Sequence, residues 1–321
     1  MRTIGFKLIR LVIVVLVVTF ICFWLLKLSP EDLVDKIIPV GSEAAKNKMR
    51  SDIGLNDGFF VQYWHWLSHF FTGNLGYSYL SETGRTPVGE SVRQSLPISL
   101  ELMLGAQILA LVVAIPFGVV TAYRAGSKFD GASNSVAFGM LALPSYVLGF
   151  VLLLYVGAKW KLLPTAAPAI DSFSLNPLDN WRYMLMPVIS LAVGQIAIYM
   201  RLLRSDMIAT LQEDFVTTAK SKGIPDRRVL FRHALRPSSL TLLTVAGLNV
   251  GALIGGALVI EQVFSIPGIG SKLAQSILTN QLVAVQSYVA VIAIFYVVLN
   301  FFVDIAYSYL DPRIRHARAA A

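Results

Sequence analysis

The chain has 321 residues, of which 55% are hydrophobic and 14% are charged, and its mean hydropathy is +0.65. A soluble domain of this size carries more charge, so the composition excludes an ordinary water-soluble fold and favours a membrane protein. The net charge of +8 does not indicate nucleic-acid binding, because the basic residues lie between apolar segments. The single cysteine, Cys22, excludes an intrachain disulfide framework and a cysteine metal site.

Six apolar segments are long enough to cross a bilayer as helices, since about 20 residues rising 1.5 Å each span roughly 30 Å of hydrocarbon. They cover approximately residues 8–28, 98–123, 136–157, 185–203, 239–260 and 284–308. Gly194 and Gln195 interrupt the fourth segment, and Arg201 and Arg204 shorten it. The sequence therefore predicts an all-α integral membrane protein with six transmembrane helices.

The distribution of lysine and arginine predicts the orientation of these helices. Regions 1–10, 124–134, 201–237 and the C-terminal tail together hold 16 of the 27 basic residues. Short basic regions stay in the cytoplasm, whereas a long loop crosses regardless of its charge. The first apolar segment follows basic residues as a secretory signal does, but no small-x-small cleavage site follows it, so we predict a retained helix. We expect a bacterial-type plasma (inner) membrane protein with both termini in the cytoplasm.

The long loop at about residues 29–97 is predicted to lie outside the membrane. Aromatic and apolar residues recur in it every three to four positions: Phe59, Phe60, Tyr63, Trp64, Trp66, Leu67, Phe70 and Phe71. This spacing predicts an amphipathic helix at the membrane interface, where aromatic rings are favoured. His65 and His69 lie four residues apart on that helix and could ligate a metal, but no third ligand lies nearby, so we predict no metal site.

The loop at residues 204–237, between the fourth and fifth spans, has a pattern of its own. Apolar residues recur every four positions at Met207, Leu211, Phe215 and Ala219, which predicts a short helix over 205–222 with one apolar stripe. Gly223 and Pro225 then form a helix stop. Because we find no soluble domain in the chain to cover the stripe, we expect a partner protein to cover it.

An alternative role for the 204–237 loop is to bind anionic lipid headgroups. The residues that would do so are Arg227, Arg228, Arg232 and Arg236. Headgroup binding explains neither the apolar stripe nor the helix stop, so the partner-binding role is preferred.

Several stretches of the chain are similar to one family of transport proteins. Residues 214–223, followed after nine residues by His233-Ala234-Leu235-Arg236-Pro237, resemble the "EAA" loop of ABC-importer permeases, with Thr217-Thr218-Ala219 in place of the Glu-Ala-Ala triplet and Pro237 displaced by one position. Residues 96–102, 259–270 and 310–315 resemble the dipeptide/oligopeptide/nickel permeases. The long outer loop with Gly73-Asn74-Leu75-Gly76 resembles the "B" permease of that group.

The resemblance implies a type I ABC importer permease fold and a division into three parts. These are residues 1–97 (first transmembrane helix and extracytoplasmic region), 98–308 (five-helix transmembrane domain with the coupling loop) and 309–321 (cytoplasmic tail). The implied partners are a second homologous permease, two ATP-binding subunits and an extracytoplasmic substrate-binding protein, besides membrane lipids. The residues implied in ATPase coupling are Met207, Leu211, Asp214, Phe215, Thr217, Thr218, Ala219, Lys220, Lys222, Gly223, His233 and Pro237.

No catalytic residue, metal or cofactor is predicted in the chain itself. A G-x-x-x-x-G-K-[ST] phosphate loop is absent from the sequence, and Gly268-Ile269-Gly270-Ser271-Lys272 lacks its spacing. We therefore expect ATP and Mg to be bound by the partner subunits. Short peptides are the first expectation for the substrate, followed by nickel chelates or another small nutrient.

Polar and small residues within the predicted spans are candidates for the translocation path. Gly247, Gly251 and Gly255 lie four apart on the fifth span and permit either close helix packing or a smooth wall for the substrate. Polar groups inside a membrane are costly and point away from lipid. Those considered are Glu101 and Asp304 near helix ends and Gln107, Gln195 and Asn249 at greater depth. Lining the path and hydrogen bonding between helices explain the deeper three equally well.

Two functions of another class compete with the importer subunit. A secondary transporter or channel working without partners is expected to show ionisable residues near the midplane or an inverted repeat, and neither is clear in the sequence. A membrane scaffold that only binds other proteins leaves the shaped 204–237 loop unexplained.

Overall fold

The chain folds mainly into helices, which the computed structural model describes over residues 2–28, 34, 42–52, 55–81, 84–165, 177–279 and 281–310. The helices are α1 (Arg2–Lys27), α2 (Glu43–Asp52), α3 (Phe59–Phe71), α4 (Val88–Tyr123), α5 (Lys128–Ala142), α6 (Ser145–Leu152), α7 (Pro177–Leu211), α8 (Asp214–Ser221), α9 (Asp226–Arg228), α10 (Leu235–Val263), α11 (Ile269–Leu278) and α12 (Leu282–Leu310). A π-helical stretch, Leu153–Lys159, extends α6, and a second, Val229–Ala234, joins α9 to α10. The predicted tail stretch beyond Leu310 and the side chain of Asp304 lie outside the described residues.

One short antiparallel hairpin interrupts the helices within the predicted outer loop. It consists of β1 (Tyr77–Ser81) and β2 (Gly84–Pro87). Tyr77 lies opposite Pro87 and Ser78 opposite Thr86, and the register shifts before the Ser81–Gly84 pair. The hairpin leads directly into α4.

The described helices account for four or five membrane spans by length and composition. Four are long and apolar enough: Val88–Tyr123, Asn180–Leu211, Asp226–Val263 and Leu282–Val303. The pair Lys128–Ala142 and Ser145–Lys159 makes a fifth if it is counted as one span. The apolar part of α1 that the structure describes, Val12–Leu25, is shorter than a full span. The sixth span therefore stays a prediction.

The third predicted segment, 136–157, is not one straight helix. α5 and α6 meet there at an angle of 95°. Leu143 is extended, with φ −93° and ψ 115°, and Pro144 follows it at the start of α6. A residue before proline is driven out of the helical region, and proline offers no N–H to the preceding turn. The expectation of a continuous helix is wrong because Pro144 ends α5.

The fourth predicted segment, 185–203, is longer than expected. α7 continues through Gly194 and Gln195 and beyond Arg204 as far as Leu211. Arg204 lies within the helix, since arginine is a good helix former, and its charge is paired with the carboxylate of Asp130 on α5. The expected interruption and the early end of this segment are both wrong.

The chain divides into two compact units. The first contains Met1–Ser99 and Pro267–Val298, and the second contains Leu100–Ile266 and Leu299–Ala321. In the second unit, α10 packs along α7, and α5 and α6 also pack on α7. The largest side chains buried there include Tyr199, Met186 and Leu203 of α7. α7 is therefore the central helix of the unit that contains the 204–237 loop.

In the first unit, α3 lies along α1 and α12. The Phe59 ring of α3 is 4.8 Å from that of Phe23, whereas the Tyr63 hydroxyl, one turn later, lies 3.0 Å from Thr19 Oγ1. Contacts thus move towards the N-terminus of α1 as α3 proceeds, so the two helices run in opposite directions. On the other side, Trp66 Nε1 donates to Ser287 Oγ of α12 at 3.1 Å. The predicted amphipathic helix is confirmed, and its place at a membrane interface stays a prediction.

Candidate functional site

Within the 204–237 loop, residues 205–222 contain parts of two helices where the sequence predicted one. Its first residues belong to the end of α7, which stops at Leu211, and α8 begins at Asp214. Glu213 between them is extended, with φ −71° and ψ 147°. The four-residue spacing continues across this break, but the helical phase does not.

The helix stop at Gly223 is confirmed. Gly223 has a φ of +74°, which glycine adopts without the steric cost that a side chain brings. Its N–H donates to the carbonyl of Lys220 at 2.9 Å, and the N–H of Ile224 donates to the carbonyl of Ala219 at 3.3 Å. These two hydrogen bonds form a Schellman motif, which satisfies carbonyls at the end of α8.

The apolar face of α8 is covered by the loop itself. Val216 and Ala219 pack with Val229, and Leu211 and Ile224 close the cluster. Val216 and Val229 are each only 1% exposed. The expectation that the stripe lacks cover within the chain is therefore wrong, because residues after the turn at Gly223 fold back over α8.

Phe215 lies outside this cluster and is 47% exposed. The predicted stripe joined it to Met207, which is fully buried on α7. Because the break at residues 212–213 resets the phase, Val216 takes the inward position and Phe215 points away from the cluster. A large aromatic side chain is thus left uncovered on a short, well-capped helix.

The remaining exposed surface of α8 and its end is polar. The exposed side chains are those of Asp214, Thr217, Thr218, Lys220, Ser221 and Lys222. Thr218 Oγ1 donates to the carbonyl of Asp214 at 2.9 Å, so this hydroxyl is already bonded within the helix. The two lysines give the C-terminal half a positive charge, which complements the helix dipole.

Two hydrogen bonds connect the 204–237 loop to the ends of long helices in the same unit. The hydroxyl of Tyr123, the last residue of α4, donates to Asp226 Oδ2 at 2.7 Å. Ser238 Oγ, in the first turn of α10, donates to Thr210 Oγ1 of α7 at 2.8 Å. His233 is half-buried in the π-helical stretch, and Pro237 is exposed in the first turn of α10.

The three deep polar candidates for the path are brought together with Tyr199. The Tyr199 hydroxyl donates to Gln107 Oε1 at 3.2 Å, and Gln107 Nε2 donates to the carbonyl of Ala246 at 3.4 Å. Asn249 Nδ2 donates to Gln195 Oε1 at 3.1 Å. These contacts join α4, α7 and α10. The geometry favours hydrogen bonding between helices as the role of these side chains.

Gln195 also lines a cavity of about 220 Å³ within the second unit. The cavity lies at the α5–α6 bend and is bordered by Ser145, Ser190 and Gly256. Its remaining walls are mostly apolar. Glu101, on α4, accepts a hydrogen bond from Asn180 Nδ2 at 3.2 Å and does not line this cavity.

The glycines of α10 do not share one environment. A Cβ at Gly247 would collide with Val303 of α12, so this glycine allows two helices to approach closely. Gly255 has nothing within 4 Å of such a position and is exposed, and Gly251 is half-buried. Close packing is therefore the role of Gly247, while Gly255 leaves part of α10 smooth and open.

Several contributors to these sites were missed in the sequence. Val216, Val229 and Ile224 were passed over because a four-residue spacing extended from Met207 selected Phe215 instead. The signal that could have found them is the Schellman pattern itself, which favours an apolar residue directly after the glycine. Tyr199 could not be recognised in the sequence, because a tyrosine in an apolar segment gives no indication of the residue to which its hydroxyl is bonded.

Comparison with known proteins gives two family models and a set of relatives. The model for the binding-protein-dependent transport system inner membrane component matches residues 114–316, and the model for the N-terminal part of such membrane components matches residues 1–105. The chain is 34% identical to the oligopeptide transport system permease protein AppB of Bacillus subtilis (strain 168), covering 94% of this chain and 96% of the relative. It is 35% identical to a putative peptide transport system permease protein of Brucella abortus (strain 2308), over 94% and 95% of the two chains. It is 32% identical to the nickel import system permease protein NikB of Staphylococcus aureus (strain MRSA252), over 98% and 92%.

Proposed function

We propose a function that proceeds from the family of this chain, which belongs to the inner membrane components of binding-protein-dependent transport systems. Its relatives are ABC importer permeases, so the chain is a membrane-embedded transport permease and not an enzyme. We infer further that it imports short peptides, that it crosses the membrane six times with both ends in the cytoplasm, and that it works with a second permease, two ATPase subunits and an extracytoplasmic binding protein.

The observation that carries the coupling role is the uncovered Phe215. The 204–237 loop buries its own apolar cluster and caps α8, yet leaves this ring 47% exposed beside the 1%-exposed Val216. An exposed aromatic ring on a rigid, pre-formed helix is the kind of anchor that dominates protein interfaces. We propose that Phe215 enters a groove of an ATPase subunit, with Lys220 and Lys222 at the polar edge.

The proposed mechanism is rigid-body movement driven by the ATPases. When ATP and Mg draw the two ATPase subunits together, each seated α8 moves with its subunit. α7 and α10 are the helices that meet the 204–237 loop, so they receive the displacement and open the permease to the outside. The Tyr123–Asp226 hydrogen bond adds the end of α4 to the parts that move.

Short peptides are preferred as the substrate because two of the relatives above are named for oligopeptide or peptide transport. A nickel chelate is the second candidate, since other relatives are named for nickel import. Among the described residues, no group of three or more His, Cys, Asp or Glu side chains could hold a metal ion. A nickel substrate would therefore be carried as a chelate that other groups recognise.

The experiment that tests this function is uptake into proteoliposomes that contain the chain with its partner permease and ATPases. We expect accumulation of labelled di- to pentapeptides that requires both ATP and the binding protein. Uptake of a nickel chelate with no peptide uptake would overturn the substrate assignment and leave the importer role intact.

The rival without partners is tested in vesicles that contain this chain alone. We expect no uptake above that of empty vesicles. Peptide flux through the chain alone would favour a channel or secondary transporter, and it would overturn the proposed role as one subunit of a larger importer.

A further inference from the structure

An ion pair between a buried aspartate and a partly exposed arginine joins α5 to α7 in the second unit. Arg204 donates to Asp130 through both Nε and Nη2, at 2.5 and 2.6 Å. Asp130 is 4% exposed, and its remaining acceptor positions receive the N–H of Gly126 and the amide of Asn134, each at 2.9 Å. Both carboxylate oxygens are therefore engaged, and the guanidinium meets them in a bidentate arrangement that fixes orientation as well as distance.

A second arginine on the same face of α7 also contacts α5. The guanidinium carbon of Arg201 lies 4.0 Å from the ring centre of Phe138. Arg201 and Arg204 are three residues apart, so they lie on one side of α7, and they contact α5 at two different turns. The two helices are thus connected at two levels, which resists sliding as well as separation.

The position of the ion pair along α7 relates it to the 204–237 loop. Arg204 precedes Leu211, the last residue of α7, by seven residues, which is about 10 Å along a helix. Only residues 212–213 separate α7 from α8. Asp130 lies in the first turn of α5, just after the turn that begins at Tyr123, and the Tyr123 hydroxyl is bonded to Asp226 of the loop. Two contacts therefore flank the short connection from α4 to α5. Tyr123 before it is bonded to Asp226 of the loop, and Asp130 after it is bonded to Arg204 of α7.

We propose that the Arg204–Asp130 ion pair is a positioning device that makes α5 move together with α7 when α8 is displaced. This inference rests on the proposed coupling function. Through α5 the displacement reaches the 95° bend at Pro144 and the cavity beside it. The role assigned to the pair requires no contact with the substrate or the ATPase, because it acts by keeping the moving helices in register.

The experiment compares transport with ATP hydrolysis in the reconstituted complex, because a merely structural pair would not alter their ratio once assembly is normal. Asp130→Asn combined with Arg204→Gln removes both charges and keeps a hydrogen-bonding side chain at each position. Arg204→Lys retains the charge but cannot form the bidentate contact. Lys128→Gln is the matched control, since it removes an exposed charge two residues from Asp130.

We expect the double variant to assemble and hydrolyse ATP while peptides transported per ATP fall roughly 5- to 150-fold, the range of ordinary coupling energies. Arg204→Lys should give a smaller fall, and Lys128→Gln none. An unchanged ratio in both Arg204 variants with normal assembly overturns the inference. If the double variant does not assemble, Arg204→Lys alone is the test: a lowered ratio of peptides transported per ATP supports the inference, and an unchanged ratio overturns it. A wild-type complex without ATP-dependent uptake would refute the proposed function instead, so the two failures are distinguishable.

Discussion

The helices α3 and α8 are both short and amphipathic, and both bury one face within their own unit, but they leave different surfaces uncovered. α3 buries Trp66 and Leu67 and leaves Phe60 and Trp64 exposed by 74% and 67%. α8 buries Val216 and Ala219 and leaves one aromatic ring among polar and basic groups. An apolar stripe in a sequence is thus no evidence for a partner. What remains uncovered after the chain has packed against itself is the evidence.

The kind of partner follows from the uncovered surface. The exposed rings of α3 continue the exposed apolar face of α1, since the rings of Phe20 and Phe60 are stacked with centres 6.4 Å apart. A continuous aromatic and aliphatic surface of this kind suits lipid. Around Phe215 the charged groups Asp214 and Lys220 suit a protein groove with a polar rim. Four changes test this distinction, from the largest expected effect to the smallest.

The two tryptophans of α3 should respond in opposite ways. Trp66→Ala removes a ring that is 8% exposed together with its hydrogen bond to Ser287, so we expect a loss of about 3–5 kcal/mol of stability. Trp64→Ala should change stability little and should weaken contact with lipid. Thermal unfolding of the purified protein measures the first effect. The second is measured as the loss of total tryptophan quenching by brominated lipid in Trp64→Ala relative to the wild type, which carries five tryptophans. Equal losses of stability in the two variants would contradict the assignment of faces.

Two adjacent residues of α8 give the corresponding comparison. Val216→Ala should lower stability by about 2 kcal/mol, since it removes buried methyl groups from the cluster with Val229. Phe215→Ala should leave the unfolding temperature unchanged and weaken the binding of the ATPase subunits. Thermal unfolding and co-purification of the ATPases distinguish these outcomes. Normal retention of the ATPases by the Phe215 variant would remove the proposed anchor.

The helix stop at Gly223 is tested by two substitutions at one position. Gly223→Val forces a β-branched side chain into a left-handed conformation, at a cost of about 1–2 kcal/mol, and should misplace α8 and lower uptake. Gly223→Asn should change peptide uptake and ATPase activity little, because asparagine tolerates that conformation. Peptide uptake and ATPase activity are the measurements. Normal values for both in the valine variant would show that the stop has no part in coupling.

The smallest effect is expected from the hydroxyl of Tyr63. Tyr63→Phe removes its contacts with Thr19 Oγ1 and the carbonyl of Leu16, at 3.0 and 3.2 Å, and keeps the ring against α1. We expect a loss of about 0.5–1.5 kcal/mol in thermal unfolding, as for one hydrogen bond. Phe70→Leu, on the same buried side of the helix, is a control for changed packing without a changed hydroxyl. A loss as large as that of Trp66→Ala would mean that the ring itself had moved.

Features that depend on neighbouring residues in the sequence could be predicted, and features that depend on contacts between distant residues could not. Gly223 was identified from its position at the end of an apolar pattern, and its φ is positive as that pattern requires. Pro144 was visible in the same way, but the length of its apolar segment concealed the bend. The pairing of Arg204 with Asp130 could not be foreseen, because the two residues lie 74 positions apart in the sequence.

The same division holds within the candidate site. The residue types of the deep polar group were recognised, but their mutual bonding with Tyr199 required three helices to be placed in space. The choice between Phe215 and Val216 depended on two residues, 212–213, whose conformation the spacing does not encode. Periodicity therefore located the loop and misjudged which side of it faces outward.

The small cluster of Val216, Ala219 and Val229 makes α8 and its turn an almost self-supporting module. We expect such a module to be transferable between homologous permeases, because most of its apolar contacts lie within it. A chimera that receives residues 212–234 from a relative should accept that relative's ATPases while keeping its own cargo. Recombination within this family would then change the ATPase partner and the substrate specificity independently of each other.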